Sequence, residues 1–167
     1  MHEIDISSLS FNPFEKIGKQ WFLITAGDKK KGFNTMTASW GFMGVMWGQD
    51  CIQAVVRPSR YTFGFLEKYK TFTVSFFPEE YRKALSYCGS HSGRDVDKIA
   101  ETGLTPVFDG DAVYFEEAEN VFVCRRVYMQ AMNAEALDKD LREKFVSADP
   151  MHVQIIGAIE KIYEKDK

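Results

Sequence analysis

A mainly β fold, an antiparallel β-barrel with short peripheral helices, is predicted for this chain of 167 residues. Three observations predict it. Seven stretches rich in Val, Ile, Phe, Tyr and Thr are mostly set off by turn residues, as strands are. Only three helix-length segments interrupt them, and these do not alternate with strands one for one, which argues against a doubly wound parallel sheet. The length suits a single domain over 1–167 that can bury a core, and 45% hydrophobic with 14% aromatic content belongs to a globular protein.

Each element follows from its local pattern. The first strand is "QWFLITAG" (20–27). The run "DKKKG" (28–32) reads as a solvated turn leading to a second strand, "TMTASWGF" (35–42). A third, "CIQAVVR" (51–57), stops at Pro58. "SRYTFGFLEKY" (59–69) then reads as a helix with Ser59 as N-cap and Phe63, Leu66 and Tyr69 on its buried side. In "TFTVSFF" (71–77), Phe72, Val74 and Phe76 share one face while Thr71, Thr73 and Ser75 share the other, the pattern of a half-buried strand. "PEEYRKALSYCG" (78–89) opens on Pro and closes at Gly89, and "GRDVDKIAETG" (93–103) closes at Gly103, as helices do. Three strands finish the chain: "AVYFEEA" (112–118), "NVFVCRRVYMQAM" (120–132) and "HVQIIGAIEKIYE" (152–164). The carboxylates of "FEEAEN" read as a solvated hairpin turn rather than a general-acid pair.

Charge and composition exclude several classes. A net charge of −3 and a pI near 5.7 leave no basic footprint for nucleic acid and no polybasic membrane signal. No apolar run approaches the roughly 20 residues of a membrane span, and "MHEIDISSLS" lacks the features of a signal peptide. Cys51, Cys88 and Cys124 form no CxxC pair, zinc pattern or disulfide framework, so a reduced, cytoplasmic setting is expected and no metal is. His2 and His152 look incidental, and Trp21 and Trp47 read as core or interface residues.

Three segments carry candidate chemistry. "NTMTASW" (34–40) sets short hydrogen-bonding side chains beside an indole. A flat ligand with polar edges needs donors and acceptors at its rim, which Thr, Ser and strand amides supply, and apolar surface on its faces, which Met36 and Trp40 supply. A core strand whose threonines bond neighbouring backbone fits the same residues. "VVRPSRYT" (55–62) places Arg57, Ser59, Arg60 and Thr62 at the mouth of a helix, a good setting for a phosphate; a plain helix cap with solvated arginines competes. In "SYCGSHSGRDVDK" (86–98), Gly89, Ser90, Ser92 and Gly93 make a flexible loop between two helices, with Cys88, His91, Arg94 and Lys98 around it, able to wrap a ligand; a purely structural loop competes. The Cys88–His91 spacing also suggests a nucleophilic pair or half a metal site, but neither has partners in the sequence.

Taken together, "NTMTASWG" (34–41), "VRPSRYT" (56–62), "FTVSFF" (72–77), "CGSHSGRDVDK" (88–98) and "TGLTP" (102–106) resemble the flavin reductase-like family of FMN-binding split barrels, particularly its flavoredoxin-like branch. The resemblance covers roughly residues 15 to 160. It implies a Greek-key split β-barrel, a homodimer and non-covalent FMN near the subunit interface. It further implies that Asn34, Thr35, Met36, Thr37, Ala38, Ser39 and Trp40 run along the isoalloxazine. Arg57, Ser59, Arg60 and Thr62 would then meet the phosphate or ribityl chain. The loop with Cys88, Gly89, Ser90, His91 and Lys98 would close over the cofactor, with Ser90 and Lys98 the foremost contacts. NADH or NADPH would be the transient hydride donor of a flavin reductase, passing electrons to a small-molecule or protein acceptor. The alternative is a flavoredoxin-type electron carrier without direct pyridine-nucleotide oxidation, and a small-ligand or haem-type barrel is a third reading. No GxGxxG dinucleotide fingerprint follows a strand.

Overall fold

Strict two-residue alternation in the central strands sorts their side chains into two apolar layers, and that sorting shapes the molecule. The structure, a computed structural model, describes residues 1–146 and 150–166. In chain order its strands are β1 (His2–Ile4), β2 (Phe22–Asp28), β3 (Gly32–Ala38), β4 (Gly41–Met46), β5 (Gln49–Val56), β6 (Thr71–Phe76), β7 (Pro106–Asp109), β8 (Ala112–Phe115), β9 (Asn120–Ala131) and β10 (Val153–Glu164). The helices are α1 (Pro13–Glu15, running into a π-helical turn at Lys16–Gln20), α2 (Tyr61–Lys68), α3 (Arg82–Ser90), α4 (Lys98–Thr102) and α5 (Lys139–Phe145).

One antiparallel sheet runs in the order β3-β2-β6-β9-β10-β5-β4, with β1 added alongside β10, and β7 and β8 form a separate hairpin. β6 returns past the β4–β5 hairpin to lie beside β2, the Greek-key return. The two ends of this path, β3 and β4, are consecutive in the chain and joined only by Ser39 and Trp40. The sheet therefore curls until its ends meet, but no ladder joins β3 to β4 among the described residues. The result is a split barrel whose seam lies at Ser39–Trp40.

Phe22, Ile24, Phe72, Val74, Phe76, Phe122 and Ile155 fill the inside of the curl. The alternate residues Leu23, Val121 and Val123 face outward into a second layer, closed by Phe77, Leu85, Cys88, Leu104 and Phe115. This layer corrects the reading of 71–77 as half-buried. Thr73 and Ser75 are fully buried too, because β8 covers them, and the Thr73 hydroxyl donates to the Val113 carbonyl at 2.6 Å. Burial of a hydroxyl is tolerable where it finds such an acceptor.

Other boundaries move. The 35–42 strand is two strands, since the chain bends at the seam, and β4 continues to Met46. β1, β7 and α5 carry too little pattern to have been read. Only Lys98–Thr102 of the 93–103 segment is helical, because Asp97 caps it by accepting from the Ile99 and Ala100 amides. Ser59 is not the cap of α2. Arg60 holds that position in extended backbone, and no side chain caps the helix. The "FEEAEN" turn is less solvated than expected, since Glu119 pairs with Lys16 and Gln20 and Ala118 is buried. The "DKKKG" turn forms as read, with Asp28 accepting from the Lys30 and Lys31 amides. No helix among the described residues is long and apolar enough to cross a membrane.

Candidate functional site

The seam gathers residues that are distant in sequence. Val153 of β10 pairs with Val56 of β5, so His152 and Arg57, one residue beyond each strand, lie at adjoining strand ends. β3 approaches from the other side and ends at the same place. A small cavity there, about 180 Å³, is lined by Met36 through Trp40 with Val55, Arg57, Arg60 and His152. It adjoins a cavity of about 440 Å³ where α2 begins and the 88–98 loop folds over. Met36, Arg57 and Arg60 belong to both.

The larger cavity has Arg57, Arg60, Arg94 and Lys98 on its wall, with Ser59, Thr62 and Ser92 hydroxyls among them. Arginines and a lysine gathered with hydroxyls around one space suit an anion, which guanidiniums and hydroxyls bind by charge-assisted hydrogen bonds. The missing side-chain cap on α2 leaves the first amides of that helix for the same use.

Lys98 is the most unusual of these groups. It is only 6% exposed, and its ammonium donates to the Thr35 and Cys88 carbonyls, both at 2.8 Å. Burial holds its pKa below the ordinary 10.5. The neighbouring Cys88 thiol is pushed up to about 11, chiefly by burial, against a smaller downward pull from Lys98. A buried thiol of that pKa is inert at neutral pH, so the idea of a Cys88–His91 nucleophile has no support. No group of three His, Cys, Asp or Glu among the described residues is placed to hold a metal.

The side chains of β3 divide between cavity and frame. Asn34, Met36, Ala38, Ser39 and Trp40 line the two cavities. Asn34 is fixed by donating to the Thr62 hydroxyl at 2.7 Å. Thr35 turns its hydroxyl to Thr25, 2.8 Å away, and to the Ile24 carbonyl. Thr37 lines the small cavity while its hydroxyl donates to the Leu85 carbonyl, tying β3 to α3. Arg57 also donates to the Phe145 and Pro150 carbonyls, and Trp40 packs edge-on against Phe145, so the excursion between β9 and β10 covers this end of the seam.

Of the 88–98 segment expected to be a loop, Cys88, Gly89 and Ser90 are the last turn of α3 and Lys98 opens α4; Cys88, His91 and Lys98 reach the cavity but Gly89 and Ser90 do not. Gly89 lies against Thr37, and its carbonyl accepts from Arg60. The Ser90 hydroxyl turns back to the Ser86 carbonyl at 2.9 Å. Ser92, Gly93 and Arg94 line the space instead. Sequence reasoning missed Tyr61 and His152. Only the β5–β10 register brings His152 beside Trp40, whose ring lies 5.2 Å away. Burial and the Arg57 and Arg60 charges lower its pKa, so it is neutral at pH 7.

Comparison with known proteins agrees with this architecture. Residues 14–167 match the flavin reductase like domain, and the chain belongs to that family. Its fold is shared with the flavoredoxin of Desulfovibrio vulgaris (Miyazaki F): TM-score 0.70, 22% identity, 99% of this chain and 78% of that one. It is shared with an FMN-binding protein from Thermus thermophilus solved with bound 1-cyclohex-2-enone: TM-score 0.68, 19% identity, 99% and 81% coverage. A split barrel domain from Shewanella frigidimarina NCIMB 400 also matches: TM-score 0.70, 18% identity, 89% and 68% coverage. No curated protein sequence matches significantly.

Proposed function

We propose that the chain binds FMN non-covalently along β3 and acts as an NAD(P)H-dependent flavin reductase. The observation that carries the reading is the cavity lined by Arg60, Arg94 and Lys98 with the Ser59, Thr62 and Ser92 hydroxyls, adjoining a space walled by Met36 and Trp40. A phosphate suits the first part and a flat ring the second, so the residues present fit the cofactor. Family membership supports the same reading, as do solved neighbours described as flavoredoxins and FMN-binding proteins.

When bound, FMN supplies the hydride-accepting chemistry. The chain's part is to bind the phosphate through its cations, to orient the ring against β3, and to leave a ring face open to the donor. Such a reaction needs alignment more than a protein base, which accounts for the lack of an acid–base pair. A second copy of the chain covers the exposed apolar face of β4, and the three buried, unpaired cysteines suit a reducing cytoplasm.

The test is the absorbance spectrum of purified protein, followed by anaerobic NADH and then NADPH. A flavin spectrum that bleaches rapidly supports the reductase. One that stays oxidised points to an electron carrier fed by another protein. A colourless protein that takes up no added FMN sinks the reading. Arg60→Ala is expected to weaken FMN about 10-fold while leaving riboflavin nearly unchanged, because only FMN carries the phosphate.

A further inference from the structure

Helix α5 adds nothing to the core. None of its seven residues is buried, and Phe145 alone is half-buried while the rest are exposed. Isolated helices shorter than roughly 12–15 residues are marginal in water. Contacts outside the core therefore hold α5 against the barrel. Two side chains of the barrel reach it: Arg57, directly after β5, and Trp40, at the seam.

Arg57 brackets two carbonyls with one guanidinium. Its Nη2 donates to the Phe145 carbonyl at 3.3 Å and its Nη1 to the Pro150 carbonyl at 3.2 Å. Phe145 ends α5, so its carbonyl has no partner within the helix, and a cation is favoured at that negative end. The planar fork suits two acceptors held side by side, a geometry that a lysine ammonium does not fix. Pro150 leads to His152, whose carbonyl accepts from the Met132 amide at 2.9 Å. One side chain thus fastens both the end of α5 and the approach to β10.

What Arg57 fastens faces the ring end of the site. Phe145 meets the Trp40 indole edge-on, with centroids 5.2 Å apart and planes at 89°, and His152 flanks the same indole at 5.2 Å. Trp40 is 47% exposed and stands in the joint between β3 and β4, which no ladder spans among the described residues. Its indole is therefore oriented by Phe145 and His152, and these are set by Arg57. Arg60 and Arg94 differ: they bond the Gly89 and Ser59 carbonyls, beside the larger cavity.

Resting on the flavin reading above, we propose that Arg57 is a positioning residue for the ring end of the flavin site and not a ligand of the phosphate. It latches α5 over the seam, so that Phe145 holds the Trp40 indole as a wall for the isoalloxazine.

The experiment compares binding of FMN and of riboflavin, followed by flavin fluorescence, to full chains of the wild type, Arg57→Ala, Arg57→Lys and Phe145→Ala. Arg57→Lys keeps the charge but not the fork, so a phosphate ligand would tolerate it and a latch would not. Each variant is expected to weaken both flavins about 10-fold, the scale of one lost aromatic contact. The ratio of FMN to riboflavin affinity should stay within about 2-fold of wild type by the same argument. Arg57→Ala combined with Phe145→Ala is expected to bind no more weakly than the poorer single variant, because both act through one contact. Without any flavin, Arg57→Ala is expected to speed tryptic cleavage at Arg142 and Lys144, exposed residues of α5, about 10-fold. Loss of FMN with riboflavin spared, FMN binding restored by Arg57→Lys, additive losses in the double variant, or unchanged cleavage would each overturn the proposal. Binding of neither flavin by the wild type removes the flavin reading itself, whereas the variants' departures from wild type bear on Arg57 alone.

Discussion

Lys98 shows how one residue joins frame and site. Its ammonium bonds two carbonyls, one on β3 and one on α3, so it pins the loop to the strand while its charge borders the cavity. Lys98→Met keeps the aliphatic stem but leaves the Thr35 and Cys88 carbonyls without that donor. The expected loss is about 1–3 kcal/mol at neutral pH, partly offset by relief from burying a charge. Urea unfolding measures it, and an unchanged midpoint would remove Lys98 from the frame. The pH dependence has a definite sign. Lys98 is depressed below 10.5 in the folded state, so the unfolded chain binds more protons. Its contribution to wild-type stability therefore rises as pH climbs toward 10.5. Cys88 acts oppositely: with a folded pKa near 11 against an ordinary value near 9, it costs stability as pH passes from 9 to 11. Lys98 moderates that cost by favouring the thiolate. The deficit of Lys98→Met should accordingly widen from neutral toward alkaline pH.

At the scale of elements, legibility followed local pattern. Strands such as β6 and β10 were readable because β-branched and aromatic residues repeat along them, and the cation cluster of 57–62 because its residues are close in the chain. Two kinds of feature were not. One was set by a covering layer, as when β8 buried Thr73 and Ser75. The other was set by pairing between distant strands, as when the β5–β10 register carried His152 to Trp40. Ser90 failed as a cavity residue because a hydroxyl at a helix end finds the Ser86 carbonyl closer at hand. Gly157 illustrates a pairing constraint with a measurable cost. It lies at an irregularity of the β9–β10 ladder, and a Cβ there would come within 2.5 Å of Phe72 Cζ and 2.6 Å of Cys124 Cβ. Both neighbours belong to the inner core, so Gly157→Ala is expected to destabilise by about 1–3 kcal/mol through overpacking. Thermal unfolding tests this, and a melting temperature at or above wild type would show that β10 can shift without cost.

For the whole molecule, the open question raised by the split barrel is what covers its seam-side end strand. β4 reads "GFMGVM" and carries no charge, while Phe42, Val45 and Met46 stay exposed at 71%, 72% and 46%. Trp47 adds an exposed indole at the hairpin tip, where both it and Gly48 hold positive φ, the backbone of a tight β-hairpin turn. An uncharged apolar strand at the end of a sheet is prone to association unless covered. A second copy is the natural partner, since an uncharged strand meets itself across a two-fold axis without repulsion. β4 begins directly after Trp40, so such a contact would lie beside the mouth of the small cavity and couple assembly to flavin binding. Val45→Lys places a charge on that exposed strand. It points into solvent in the single chain, so the fold should survive with a change in stability within about 0.5 kcal/mol. Sedimentation is expected to show a dimer for the wild type and a monomer for Val45→Lys, with FMN affinity reduced in the monomer. A wild-type monomer would reject the pairing outright. A dissociated variant that binds FMN as well as the dimer does would confine the cofactor contacts to one chain.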